Sequence, residues 1–329
     1  MQNLLPDKIE TLDREHWKYS NIKAALKKLE TTEAPAVWEM TGAFDYLVPS
    51  GENIVHITIP KNKQIDQPIE LTFKGEDGKR YMGQVVIEVE QGASVKFIER
   101  QTGAGAYWKN LDMHISVGKN ASVEFYRLCE EDPFCVVTEF MTIDLERDAR
   151  FRACAINGCS GFGRNEFTVN INGENAEADL SGLALLRGKQ HGDTTVCVNH
   201  IKPHGRSSQF FKTILKDQSR GVYQGKIHVF KDAQKTDGYQ LSNNLLLSQQ
   251  AEMDIKPELE IYADDVKCSH GSTTGELDET PMFYLRSRGI PEDKARQLLI
   301  EAFVGEVLEK IPCECVRTMF DERVKLWLK

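Results

Sequence analysis

The chain has 329 residues, 40% of them apolar and 28% charged, which excludes collagen-like, disordered and disulfide-scaffold proteins and leaves ample apolar mass for a core. With 41 basic against 50 acidic residues the formal net charge is −9, which argues against nucleic acid or an anionic membrane as principal partner. The opening Met1-Gln-Asn-Leu-Leu-Pro-Asp lacks a basic stretch followed by an apolar one, and no apolar run approaches the roughly 20 residues that span a bilayer, so a cytoplasmic location is expected.

Residues 1–40 read as sparse helix, giving a short N-terminal helical segment over 1–45. Leu12, Trp17, Ile22, Leu26 and Leu29 supply its loose apolar stripe, and Pro35 closes it. From about residue 52 the period changes to two. Val85, Ile87 and Val89 alternate with polar neighbours, and so do Ala93, Val95 and Phe97 after a corner at Gln91-Gly92.

These strands repeat. Gly92-Ala-Ser-Val-Lys-Phe is followed by Asn120-Ala-Ser-Val-Glu-Phe, Asp148-Ala-Arg-Phe-Arg-Ala and Asn175-Ala-Glu-Ala-Asp-Leu, with alanines at 93, 121, 149 and 176. Gly, Asn and Asp are the residues that best tolerate positive φ, as a sharp corner recurring at one azimuth of a coil requires. The small alanine after each corner suits a site where it stacks on its copy one turn away. Each unit leaves room for a second strand, such as 136–145 or 166–171. A period near 28 with two strands per unit predicts a parallel β-helix core over 46–277, one unit per turn. An antiparallel sandwich is the competing architecture, because alternation alone does not separate the two.

Near residue 278 the pattern turns helical and defines a C-terminal domain over 278–329. Thr280 and Pro281 suggest an N-cap and first turn, and Gly289 a stop. Pro291, Glu292 and Asp293 open a second helix with Ala295, Leu298, Leu299, Ala302 and Phe303 along one stripe. Pro312 ends it, and a third helix carries Val316, Phe320, Val324 and Trp327 on one side.

Several chemistries are missing from the sequence. Gly182-Leu-Ala-Leu-Leu-Arg-Gly188-Lys189-Gln190 has one residue too many for a phosphate-binding loop and no hydroxyl for magnesium. No G-x-G-x-x-G opens a helix and no G-x-S-x-G elbow is present. His200 and His204 have zinc-like spacing, but Pro203 opposes a helix presenting both, and hydrogen-bonded histidines are expected. Asp264 and Asp265, adjacent on an extended chain, point to opposite faces and make a poor acid–base dyad. The eight cysteines, among them Cys129/Cys135, Cys154/Cys159 and Cys313/Cys315, contain no C-x-x-C pair and are expected to be reduced thiols. Cys313/Cys315 falls at a helix junction, where partial burial accounts for it.

One segment stands apart. In Glu258-Leu-Glu-Ile-Tyr-Ala-Asp-Asp-Val-Lys-Cys268-Ser269-His270-Gly271 a thiol and an imidazole two residues apart share a face if the stretch is extended. Both are competent transition-metal ligands, but two ligands need completion from elsewhere, for instance from another chain. On spacing alone, a buried cysteine beside a hydrogen-bonded histidine is the favoured reading.

The run from Leu259 to Gly271, with Gly275-Glu-Leu-Asp278 and Phe283-Tyr-Leu-Arg-Ser-Arg-Gly-Ile290, resembles the SufB/SufD family, scaffold subunits of the SUF system for iron–sulfur cluster assembly. Asn244-Leu-Leu-Leu-Ser-Gln-Gln-Ala-Glu-Met-Asp-Ile-Lys-Pro-Glu-Leu-Glu-Ile261 and Glu15-His-Trp-Lys-Tyr-Ser-Asn21 are closer to its SufD branch, and the Ser-Gln-Cys-Asp segment of the SufB branch is absent. The resemblance is strongest over 236–305. The helical region ahead of the β-helix is shorter than the family's usual one.

The resemblance implies a right-handed parallel β-helix and a non-enzymatic scaffold. It implies a SufB-like paralogue meeting the end of the β-helix and a SufC-like ABC-type ATPase on the C-terminal helices, where Phe283, Tyr284, Arg286, Arg288, Leu299 and Phe303 mix apolar and basic groups. Cys268 and His270 occupy positions matching the SufD side of the subunit junction, where a cluster is assembled; His270 is the principal functional residue expected, and any metal held there is transient. No tightly bound cofactor is expected in the isolated chain, ATP belongs to the partner, and no flavin motif is present. Pairing of the chain with itself when alone is left open. A carbohydrate-active β-helix enzyme and a purely structural partner of an ATPase are the competing readings. The first usually needs clustered acids along one solenoid face.

Overall fold

The computed structural model describes residues 15–42, 44–48, 53–158 and 160–329, so Leu12 and Cys159 lie outside the described residues. Two sheets face each other, and each strand of one pairs in parallel with the strand two places further along the chain. One sheet runs from Ile54–Ile59 to Glu252–Ile261, the other from Ile69–Glu76 to Lys267–Gly275. This is a parallel β-solenoid with a strand from each sheet in every turn, and the sandwich alternative is excluded by its all-parallel body.

The repeat seen in the sequence is the corner of the coil. Gly92, Asn120, Asp148 and Asn175 all have positive φ, between 57° and 71°. The left-handed backbone aims each N–H along the coil axis. Gly92 donates to Lys119 O at 2.9 Å, Asn120 to Arg147 O at 3.0 Å, Asp148 to Glu174 O at 3.0 Å and Asn175 to Pro203 O at 3.3 Å. The ladder extends in both directions, through Asn62 before it and His204 and Lys235 after it. Ala93, Ala121, Ala149 and Ala176 follow the corners and are buried, stacked turn on turn. The strand expected at 136–145 is Val136–Leu145; that expected at 166–171 begins earlier, as Phe162–Ile171.

Inside the coil, in-register side chains form columns. Ile57, Ile87, Ile115, Ile143, Val169, Val198 and Ile227 stack in one unbroken row, all buried. Such a row removes apolar surface from water only because the next turn covers it, which is why a single repeat is not stable alone.

The two ends of the solenoid differ. At the first, Val37–Thr41 runs antiparallel to Ile69–Glu76, and Trp38 stacks on Phe73 with ring centroids 4.5 Å apart, closing the core. At the second, no further strand among the described residues pairs with Glu252–Ile261 or Lys267–Gly275.

Residues 1–14 of the helix expected over 1–40 lie outside the described residues; from Glu15 on, the described residues hold one short α-helix, α1 (Ile22–Leu26), capped by Asn21, and residues 32–34 and 37–41 are strands. Val37-Trp-Glu-Met-Thr alternates and finds a sheet edge to join, and that pairing outweighs weak helix propensity. The apolar stripe is nonetheless used. Ile22 is buried with Trp17, Leu26 and Leu29 against Trp108, Val136, Phe140 and Phe162, strapping the segment to the outside of one sheet.

Helices α2 (Glu279–Ser287), α3 (Glu292–Leu308) and α4 (Glu314–Leu328) follow the last strand. The N-cap of α2 is Asp278, two residues before the expected Thr280: its carboxylate accepts the Thr280 N–H at 2.8 Å. Gly289 ends the helix with φ +84°. In α4 the expected face, Val316, Phe320, Val324 and Trp327, is the buried one. In α3 only Ala295 of the expected face is buried: Ile300, Val304, Val307 and Leu308 are buried with it, whereas Leu298, Leu299 and Phe303 are half-buried and Ala302 is exposed. Apolar residues surround much of α3, so tertiary contact and not periodicity selects its face. Both helices lie on the flank of the solenoid, over Ile98, Tyr126, Leu128, Ile156, Leu183 and Ile214, and among the described residues this cluster holds none from Glu252–Ile261 or Lys267–Gly275.

Candidate functional site

The last strand, Lys267–Gly275, lies on Asp237–Leu246, with Cys268 over Gly238 and His270 over Gln240. Alternation puts both side chains on one face, as the spacing implied, and the register makes that face the interior one of the coil. The column beneath His270 runs Phe97, Phe125, Ala153, Leu180, Gln209, Gln240. It is apolar through four turns, then changes to amides at the open end. Gln209 is buried, accepts the Tyr223 hydroxyl at 3.0 Å and donates to Lys226 O at 3.3 Å. Gln240 is buried too, yet neither amide atom has a partner among the described residues. A buried amide without partners is costly, so the end of this column favours an additional polar group. His270 above it is exposed.

Cys268 has a different environment. Its thiol is half-buried beside Ile227, Val229, Ala233 and Ala263, and burial pushes its pKa up, keeping it protonated. A soft ligand must first lose that proton. Among the described residues no three His, Cys, Asp or Glu side chains converge as a metal site. Cys268 and His270 are thus two potential donors at this end, and the described residues do not supply the remainder of a coordination shell.

Exposed aromatic groups surround this end. His228 stacks on Phe230 at 4.2 Å and meets Tyr262 edge-on at 5.7 Å, and Tyr262 is 63% exposed. The other final strand, Glu252–Ile261, is only half-buried along most of its length. Sequence reasoning missed Gln240, His228, Phe230 and Tyr262. The signal for Gln240 was available: Gln209 and Gln240 occupy the register position that holds Phe97 and Phe125 in earlier turns.

The six residues expected at an ATPase contact are divided by the structure. Phe283, Tyr284, Arg286 and Arg288 are exposed together on α2, with Phe283 74% accessible and the Arg288 guanidinium 5.1 Å from the Tyr284 ring centre. Leu299 and Phe303 are half-buried on α3, and Phe303 is tied to the solenoid: the buried Lys212 ammonium lies 4.1 Å from its ring centre and donates to its carbonyl at 2.8 Å. Of the other histidine pair, His200 is fully buried, shares a hydrogen bond with the Ser207 hydroxyl at 2.8 Å and has its pKa pushed down to about 4 by burial, whereas His204 is a corner residue. No helix among the described residues is long and apolar enough to cross a membrane.

Comparison with known proteins bears on this geometry. Residues 72–303 match the model of the SufBD core domain of the SUF system for FeS cluster assembly. An iron–sulfur cluster assembly SufBD family protein of Synechocystis is 35% identical over 273 residues, covering 78% of this chain and 59% of the relative. The iron–sulfur cluster assembly protein SufD of Escherichia coli is 32% identical over 280 residues, 83% of this chain and 66% of the relative. The protein of the same name in Bacillus subtilis is 27% identical over 272 residues, 79% and 60% respectively. The matches span less than two thirds of the length of these relatives.

Proposed function

The chain belongs to the SufB/SufD family of the SUF iron–sulfur cluster assembly system and is most like SufD, and from that footing we propose that it is a non-enzymatic scaffold subunit that pairs with a SufB-like chain through the open end of its solenoid. The observation that carries the reading is the unfinished last turn. Two strands that no further described strand pairs, an exposed imidazole and a buried amide without a partner among the described residues call for a second surface. A related solenoid offering its own end satisfies the backbone and brings further ligands to the same seam. The cluster under construction is cargo there, with His270 as a donor from this side. Cys268 serves only after losing its proton, which a second cation at the seam favours.

In this reading α2 is the contact for a SufC-like ABC-type ATPase, through Phe283, Tyr284, Arg286 and Arg288, with Leu299 and Phe303 supporting it from α3. ATP is bound by that partner. Closure of two ATPase subunits pulls on the helical tails of both scaffolds and loosens the seam.

The test is co-expression with a SufB-like and a SufC-like protein, followed by sizing and by iron and sulfide analysis. His270→Ala is expected to leave the complex intact and abolish cluster formation. A variant complex that builds clusters at the normal rate refutes the role of His270 and leaves only a structural partner of the ATPase.

A further inference from the structure

The last helix begins at a pair of thiols that the scaffold role does not use; Cys313 packs against the cluster beneath the long helices and Cys315 is exposed. Cys313 is the N-cap residue of α4 and Cys315 lies in its first turn, and their Sγ atoms are 2.9 Å apart. A disulfide needs about 2.05 Å, so closure asks for a movement of about 0.9 Å in side chains at the edge of the fold. Cys315 is exposed and Cys313 half-buried, so small solutes reach the pair. The other described cysteines differ. Cys129, Cys135 and Cys154 are buried, burial raises the Cys154 pKa to about 12, and the half-buried Cys197 and Cys268 are raised by the same cause.

The surroundings of Cys313 favour its thiolate. Partial burial works against the charge, but the Cys315 thiol, the backbone N–H groups of Val316 and Cys315 and the Lys96 ammonium outweigh it, so its pKa is shifted down. Cys315 is shifted up, chiefly by its hydrogen bond to Cys313. Two thiols in hydrogen-bond contact at the start of a 15-residue helix, one shifted toward its thiolate and the other away from it, make the arrangement of an attacking and a resolving cysteine.

We propose that Cys313 and Cys315 form a dithiol–disulfide couple that exchanges with low-molecular-weight disulfides of the glutathione type. The Cys313 thiolate attacks one sulfur of the small disulfide, forms a mixed disulfide and expels one thiolate. Cys315 gives its proton to solvent and attacks the Cys313 sulfur. The Cys313–Cys315 bond forms, and the second small thiolate leaves. The two electrons lost by the protein dithiol reside on the two expelled thiolates, so the small disulfide is reduced. Cross-linking residues so near in sequence removes little freedom from the unfolded chain, which marks the pair as reactive and not as a staple. A ring this small is also readily opened again by thiols.

The test uses the full chain, first reduced and desalted, then exposed to oxidised glutathione, alkylated and mapped by mass spectrometry. The expected product is a chain lighter by a pair of hydrogens, with the cross-link confined to the peptide holding Cys313 and Cys315. Cys315→Ser is expected to stop at a stable glutathione adduct on Cys313, and Cys313→Ser to react about tenfold more slowly. A wild-type chain in which both thiols remain open to alkylation refutes the proposal. So do adducts spread over Cys197 and Cys268 without the cross-link, or equal rates in the two variants. Because the first measurement needs no substitution, a variant that misfolds leaves it decisive.

Discussion

Two phenylalanines of the helical domain are expected to behave in opposite ways. Phe320 of α4 is fully buried, edge-on to Tyr126 with ring centroids 6.4 Å apart, in the cluster that joins both long helices to the solenoid flank. Truncating a buried phenyl group costs about 3–5 kcal/mol, several times the roughly 1 kcal/mol of the aromatic pair itself. At 1.4 kcal/mol per decade, the opening of α4 should become about a hundred- to several-thousand-fold more frequent in Phe320→Ala. The stability of a solenoid is local to neighbouring units, so the loss should stay near the helix. Hydrogen exchange is the appropriate assay: amides of residues 314–328 accelerate while those of 136–145, in the other sheet, do not. Phe283→Ala removes a ring already in water and should change stability by no more than about 0.5 kcal/mol. It should leave exchange untouched and still eliminate co-purification with the ATPase. Unchanged α4 exchange in Phe320→Ala would sink the packing argument, and retained co-purification in Phe283→Ala would sink the contact assigned to α2.

Three further expectations concern the coil and its open end. Asp148 sits at φ +59° and accepts a hydrogen bond from Asn175 Nδ2 at 2.7 Å, so Asp148→Ala and Asp148→Gly both lose that bond but Asp148→Ala should cost about 1–2 kcal/mol more, compared by urea midpoints; equal losses refute the left-handed corner as the cause. His200 has a depressed pKa of about 4, so the unfolded chain takes up its proton first as pH falls through the ordinary histidine range. Its contribution is complete above that range, falls by about 2 kcal/mol between pH 7 and pH 5, and levels off below pH 4. His200→Asn should flatten that part of the stability profile, and an unchanged profile contradicts the assignment. His270→Gln keeps an amide that can meet Gln240 but not an imidazole donor, so cluster yield should fall as in His270→Ala while SufB-like pairing persists; normal yield points to hydrogen bonding as the whole role.

Much of the architecture was legible because a coil imposes one geometric demand repeatedly. Gly92, Asn120, Asp148 and Asn175 mark the corner, and the alanine beside each marks the tight inner site. Cys268 and His270 were placed on one face by spacing alone, and the register confirms that face as the interior one. The α4 face was legible for the same kind of reason, since Val316, Phe320, Val324 and Trp327 leave the other sides polar. The face of α3 and the extent of helix near the start were not, because each depended on which neighbouring surface was available.

Charged groups inside the coil were equally hidden. Arg127 is buried in line with Phe125 on its strand, yet it is held by Glu99 at 3.0 Å, by Asn165 at 2.8 Å and by Glu139. A pattern of polar and apolar letters assigns such residues to solvent. Only a pairing between turns offsets the cost of bringing them inside.

The amino-acid order by itself determined the period of the coil, the side of each strand that faces inward and the family to which the chain belongs, since all three depend on local backbone preference and on residues close in sequence. The tertiary structure alone decided that the helices lie along the flank, that no described strand pairs beyond the last turn, and that Cys268 is sheltered while His270 is not. Those outcomes depend on which surfaces, distant along the chain, exclude water from one another.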